Sequence, residues 1–114
     1  MSTQTIDQTR VDAFVHKALG DLSATTTYLL AMLGDRLDLF TTLAGQGPAT
    51  SSELADRAGI DERYAREWLA GMAAAGYLDY DPDTTRYTLP PEHEPVLAEE
   101  GGPVFFGGVY EIIP

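Results

Sequence analysis

The sequence predicts a mainly α-helical fold with one small β-hairpin: a winged helix-turn-helix preceded by long N-terminal helices. Three observations predict it. Apolar residues recur at spacings of three and four along the first 43 positions. Residues 48–90 then carry a start or stop signal at nearly every junction of a helix, turn, helix, hairpin order. Finally, two short runs that alternate apolar and polar residues flank Pro82-Asp83-Thr84-Thr85.

The elements follow in chain order. Met1 to Thr5 are expected to fray. From about Asp7, Val11, Phe14, Val15, Ala18, Leu19 and Leu22 form a helical stripe. Gly20 weakens that run, so a break or kink is expected at residues 20–23. A second stripe, Leu29, Leu30, Leu33, Leu37, Phe40 and Leu43, ends at Gly45-Gln46-Gly47-Pro48. Two long apolar faces ahead of so small a core need cover. They read as a dimerisation layer over residues 1–47, and the alternative is that they fold back on the chain's own core.

The winged unit occupies residues 48–100. Thr50-Ser51-Ser52-Glu53 is a capping box: the Thr50 hydroxyl accepts from an orphan amide while Glu53 reaches back to the cap. A helix over 51–58 points Leu54, Ala55 and Ala58 inward, and Gly59 stands where a left-handed residue ends it. Ile60 plugs the turn. Asp61 caps a second helix over 62–75, with Ala65, Trp68, Leu69 and Met72 inward and Gly76 as the stop. The hairpin runs over 77–81 and 86–89, and Asp81-Pro82 suits the opening of a type I turn. Pro90-Pro91 stops the second strand, and residues 92–100 read as a short helix. Residues 101–114 form an apolar tail with a single charge, which needs burial against something.

Composition narrows the classes of function. A chain of 114 residues is one domain's worth. It has no cysteine, which excludes disulfides and thiolate metal sites. No apolar run approaches the roughly 20 residues of a membrane span. The polar N-terminus lacks a signal peptide's apolar region, so a cytoplasmic setting is expected. Net charge is −11, and residues 77–114 hold one basic against eight acidic side chains. Such a surface repels phosphate backbones and disfavours nucleic acid as a partner.

Candidate sites are few. A DNA-reading helix needs basic or amide side chains at base edges. Arg63 and Arg66 are the candidates, but Glu67 and Glu62 stand at i,i+4 spacing to them, and the wing carries Asp79, Asp81 and Asp83. Those three acids open like a calcium loop, yet Thr84 and Pro90 occupy the positions that need Gly and Glu. His16 and His93 lie in no metal-binding pattern; His16 reads as a helix-face residue and His93 as a surface residue beside Glu94. Gly45-Gln46-Gly47 follows a helix rather than a strand and reads as a helix stop, not a nucleotide loop. Trp68, Tyr64, Tyr77, Tyr80 and Tyr87 read as core. Phe105, Phe106 and Tyr110, in the tail, are the candidates for an interface or pocket wall. No catalytic or metal-binding residue is identified.

The combination of motifs carries a resemblance. Leu33-Gly34-Asp35-Arg36-Leu37 through Phe40, Thr50-Ser51-Ser52-Glu53-Leu54-Ala55, Asp61-Glu62-Arg63-Tyr64 with Arg66-Glu67-Trp68-Leu69, and Ala75-Gly76-Tyr77-Leu78 followed by Tyr87-Thr88-Leu89-Pro90 together look like one module. It resembles the N-terminal winged-helix domain of a bacterial family of S-adenosylmethionine-dependent class I methyltransferases. Asp38 departs from the pattern, where a small residue is expected. The resemblance implies a homodimerising domain that forms a lid or wall of the substrate pocket. It implies that methyl transfer and S-adenosylmethionine binding belong to a Rossmann-like domain elsewhere in the parent chain, with residues 101–114 leading towards it. No cofactor is expected on this chain itself. The alternative is a stand-alone dimeric transcriptional regulator that places Arg63 and Arg66 on DNA.

Overall fold

The computed structural model describes residues 5–107. Its order is α1 (Gln8–Arg36), α2 (Leu39–Leu43), α3 (Ser51–Ala58), α4 (Glu62–Ala74), β1 (Asp79–Asp81), β2 (Arg86–Thr88) and α5 (Glu94–Leu97). This is a mainly helical winged helix-turn-helix. The two strands pair antiparallel, with Tyr80 opposite Tyr87. Ala49 adds a single bridge to Tyr87, so the wing is anchored to the start of the helical pair.

The N-terminal helix differs from expectation. No break occurs at residues 20–23; α1 runs unbroken for 29 residues, about 43 Å at 1.5 Å per residue. Glycine costs a helix only about 1 kcal/mol relative to alanine. The i,i+4 pair of Lys17 with Asp21, at 2.9 Å, adds support across that turn. The break comes instead at Asp38, which adopts φ 57°. Asp tolerates that left-handed conformation better than most residues, and its carbonyl accepts from the Thr41 and Thr42 hydroxyls at 3.0 and 2.6 Å. The turn there leads into α2, whose Leu39, Phe40 and Leu43 are in the core.

The helical pair follows its local signals. In the capping box, the Glu53 amide donates to Thr50 Oγ1 at 3.2 Å and the Thr50 amide donates to Glu53 Oε1 at 2.9 Å. Those bonds to Thr50 hold the Glu53 carboxyl below the usual glutamate value against a small opposing effect of burial, with Arg86 and Arg57 adding to the lowering. Gly59 closes α3 at φ 70°. Asp61 caps α4 through the Arg63 amide. The core joins Leu54 and Ala55 of α3 to Ala65, Trp68, Leu69 and Met72 of α4, with Ala31 and the α2 residues beneath.

The long helix crosses α4 at close range. Gly34 and Gly71 make that approach possible: a Cβ on Gly34 would lie 2.5 Å from Trp68, and one on Gly71 2.5 Å from Leu30. Trp68 fixes the crossing by donating its indole N–H to the Leu30 carbonyl at 2.8 Å and meeting Phe40 edge to face at 5.1 Å.

Several smaller expectations are corrected. Tyr64 and Tyr80 are exposed rather than core, because each sits on the outer side of its element; Trp68 is buried, and Tyr77 and Tyr87 are partly so. Tyr80 instead lies against Tyr87, 4.6 Å between ring centres. Burial, with a lesser effect of Tyr80, pushes the Tyr87 phenol up. The helix expected over 92–100 is confined to the single turn of α5. The second apolar stripe is split: Phe40 and Leu43 are buried, whereas Leu29, Leu33 and Leu37 remain about half exposed.

Candidate functional site

Three surfaces have the chemistry of a site. The first is the N-terminal half of α1. Every residue from 5 to 26 is exposed except Ala18, which is intermediate. Phe14 is 68% exposed, Leu22 66% and Leu19 55%, and Val11 and Val15 share their stripe. The molecule is elongated accordingly, 64 × 35 × 25 Å. An isolated helix is marginal in water, and its stability in proteins comes from packing an apolar face. Among the described residues this half of α1 is largely uncovered, and only Leu19 and Leu22 edge an open groove shared with Gly71, Ala74 and Ala75 at the end of α4.

The second surface surrounds the start of the tail. Phe105 is half-buried, and its ring closes on Gly107, where a Cβ would meet it at 2.3 Å. Phe106 is half-exposed; its amide donates to the Val96 carbonyl at 2.8 Å, which pins the tail to α5. Phe106 thereby edges a cavity of about 290 Å³ shared with Tyr77, His93, Val96 and Leu97. Of the tail candidates, Phe106 lines this cavity, while the Phe105 ring packs on Gly107. Tyr110, the third tail candidate, lies outside the described residues.

His93 in this cavity corrects the sequence reading, which put it on the surface. It is half-buried, and its Nδ1 lies 2.7 Å from the Tyr77 carbonyl oxygen. Tyr77 has just left the end of α4, where its own amide donates back to Met72, so its carbonyl is available. The contact spans 16 positions. The Pro90-Pro91 turn ahead of His93 was the available signal that the chain doubles back there.

The third surface is the outer face of α4 with the wing. Arg63 and Arg66 are exposed, and each is held by the acid its spacing predicts: Arg63 Nε lies 3.5 Å from Glu67 Oε1, and Arg66 Nε 4.0 Å from Glu62 Oε2. Glu62 also accepts from the Ser51 hydroxyl at 2.6 Å, which fixes it in place. Asp79, Asp81 and Asp83 stand exposed along the wing. Asp81 serves the turn: its carboxylate accepts from the Asp83 amide and the Thr84 hydroxyl. This face presents balanced and negative charge where a phosphate backbone would lie.

S-adenosylmethionine does not fit the described residues in the manner of a Rossmann-like site. Their strands form only an antiparallel hairpin, and Gly45 and Gly47 lie between α2 and α3 with no strand ahead of them. Among the described residues, no group of three His, Cys, Asp or Glu could hold a metal ion, and no helix is long and apolar enough to cross a membrane.

Comparison with known proteins gives a consistent picture. Residues 24–99 match the family described as the Rv2258c-like winged HTH domain. A curated relative, the tetracenomycin polyketide synthesis 8-O-methyl transferase TcmO of Streptomyces glaucescens, is 44% identical over 54 residues, 47% of this chain and 16% of that protein. Among solved structures, PigF with SAH superposes with a TM-score of 0.73 at 23% identity, covering 86% of this chain and 28% of that one. The mitomycin 7-O-methyltransferase MmcR gives 0.71 at 20% identity, covering 90% and 30%. Human N-acetylserotonin methyltransferase in complex with SAM gives 0.71 at 12% identity, covering 99% and 32%. The chain thus spans a third or less of the length of each of these relatives.

Proposed function

The chain belongs to the Rv2258c-like winged HTH domain family, and on that footing we propose that it is the non-catalytic dimerisation and substrate-lid domain of a bacterial, cytoplasmic S-adenosylmethionine-dependent methyltransferase. In this reading the methyl transfer is carried out by a Rossmann-like domain of the parent protein. The winged domain contributes shape: it pairs two copies and walls off the acceptor pocket, which excludes water from the reaction.

The observation that carries the reading is the uncovered half of α1. Burying a side chain such as Phe14 or Leu22 stabilises by about 1.5–3 kcal/mol, and a two-fold pairing buries each stripe residue twice. A second copy of the same helix offers a surface of matching length and character. The likeness in fold to known methyltransferases supports the lid role, as does the position of Phe106 at the mouth of a cavity.

Sedimentation equilibrium tests the pairing. The expected mass is twice the 12.4 kDa of one chain, falling to one chain in a Phe14→Ser/Leu22→Ser variant whose Trp68 near-ultraviolet signal is unchanged. A wild-type chain that stays monomeric at every concentration refutes it. Reading the gene downstream of Pro114 tests the assignment to a larger enzyme: a strand followed by a glycine-rich loop is expected, and an unrelated continuation counts against it.

A further inference from the structure

The exposed side of α1 has a spacing that reads the same in both chain directions. Val11, Val15, Leu19, Leu22, Thr26, Leu29, Leu33 and Leu37 fall within an arc of about 80° on an α-helix. Leu37 follows the last residue of α1 and continues its turn, since its amide donates to the Leu33 carbonyl at 2.9 Å. The seven apolar members are 39–66% exposed. Thr26 suits the same line, because its hydroxyl donates to the Leu22 carbonyl and its methyl group is left to face outward. No charged residue falls on the line: Arg10, Asp12, Lys17, Asp21, Asp35 and Arg36 all stand off it. The buried residues of the helix, Ala31 and Gly34, point about 130° away from its centre. The helix thus has one face for its own core and a second, apolar face that is largely open among the described residues.

Each member of the line has a mate at equal distance from Ala24: Val11 with Leu37, Val15 with Leu33, Leu19 with Leu29, and Leu22 with Thr26. A two-fold contact needs that property, because residue i of one copy meets residue j of the other while j meets i. We propose that two copies pair through antiparallel α1 helices, in the single register that places the two-fold axis at Ala24. The inference rests on the pairing proposed above and adds its face, direction and register. The first half of each α1 then lies along the second half of the other, over about 39 Å from Val11 to Leu37. Two further features favour this direction over a parallel one. Beside Leu33 and Leu37 lies an apolar groove of about 410 Å³, walled by Ile60, Tyr64 and Trp68. Antiparallel pairing lays the partner's Val15 and Val11 along its mouth, whereas parallel pairing sets those residues on their own copies and leaves it open. Each copy also carries −11. Antiparallel helices set the two acidic bodies towards opposite ends of the pair rather than abreast, which lessens their repulsion.

Disulfide trapping tests the register, because the chain has no cysteine of its own. Val15→Cys and Leu33→Cys each alter an exposed side chain and leave the core intact. Under mild oxidation, an equimolar mixture of the two variant chains should form a mixed disulfide at least about tenfold faster than either chain alone, through the raised local concentration within a pair. In the proposed pair the two copies of position 15 lie about 27 Å apart, far beyond the reach of a disulfide. Mixing Val15→Cys with Leu29→Cys or with Leu37→Cys, one helical turn off register, should be slower than mixing it with Leu33→Cys. Val15→Arg and Leu33→Asp should each weaken self-association in sedimentation equilibrium, and a mixture of the two should recover it. Rapid linkage of Val15→Cys to itself shows parallel pairing and overturns the inference. So does faster linkage to position 29 or 37, or equal rates in mixed and single chains that sediment at twice the mass of one; in these cases the pairing itself stands. A wild-type chain that stays monomeric overturns both the register and the pairing.

Discussion

Two glycines of α1 make a matched experiment, because the same substitution should act with opposite sign at each. Gly20 has no atom within 4 Å of a Cβ built on it, so Gly20→Ala adds helix propensity and nothing else. That gain is about 1 kcal/mol, or near 4 °C in Tm for a chain of this size. At Gly34 the new methyl would stand 2.5 Å from Trp68 Cζ2 and 2.7 Å from Phe40 Cε2, where carbon contacts prefer about 3.5–4 Å. Both rings are held in place. Phe40 is 1% exposed, and Trp68 is tied to the Leu30 carbonyl. Overpacking of that kind costs about 1–3 kcal/mol. Propensity cancels in the difference between the two variants, so Gly34→Ala should be less stable than Gly20→Ala by about 1–3 kcal/mol. Urea unfolding followed by Trp68 fluorescence measures it, with all chains at one concentration because pairing would add a concentration-dependent stabilisation. If Gly34→Ala is as stable as Gly20→Ala, the α1–α4 crossing is looser than described. If Gly20→Ala fails to stabilise, α1 is not a continuous helix through residue 20.

Three further outcomes are expected. The Glu53 carboxyl is held below its unfolded value by Thr50, so its contribution to stability is complete above about pH 4.3 and is lost as pH falls through the lower folded value; the gap in Tm between wild type and Glu53→Gln should be constant near neutrality and shrink in acid, and a gap that does not depend on pH would contradict the capping geometry. Thr85 is a β-branched residue at φ 52°, so Thr85→Gly should raise stability by up to about 1 kcal/mol in thermal unfolding, whereas a loss would show that the turn does not hold that conformation. Because Arg63 and Arg66 are paired with acids and the wing is acidic, the chain should not retard duplex DNA at 50 mM salt; salt-sensitive retardation lost in Arg63→Ala/Arg66→Ala would restore the regulator reading.

How far the fold was legible depends on the range of each signal. The capping box at Thr50 and Glu53, the left-handed Gly59, and the Asp61 cap are decided within four residues, and the sequence shows them directly. No break occurs at Gly20 because a glycine is only weakly helix-breaking, whereas the turn at Asp38 is favoured by burying Phe40 against Trp68, 28 positions away from it. His93 was missed for the same reason: its partner is a carbonyl that becomes available only once α4 has ended and the wing has folded back. Short-range chemistry is written in the residues, and long-range pairing depends on the assembled core.

The apolar stripes bring the two ranges together. Periodicity alone left open whether they cover the chain's own core or a partner, and the structure buries part of them in the core and leaves the rest exposed. Phe40 and Leu43 go to the core, and Gly34 lets α1 approach close enough for that. Phe14 is carried away from it by the rigidity of an unbroken helix, and Leu19 and Leu22 stay exposed at the edge of a groove beside the end of α4. Had α1 broken at Gly20, its first half could have folded back and the domain could have been compact alone. The continuity of the helix is what removes that option, so the same feature that keeps the N-terminal stripe off its own core leaves it available for a second surface.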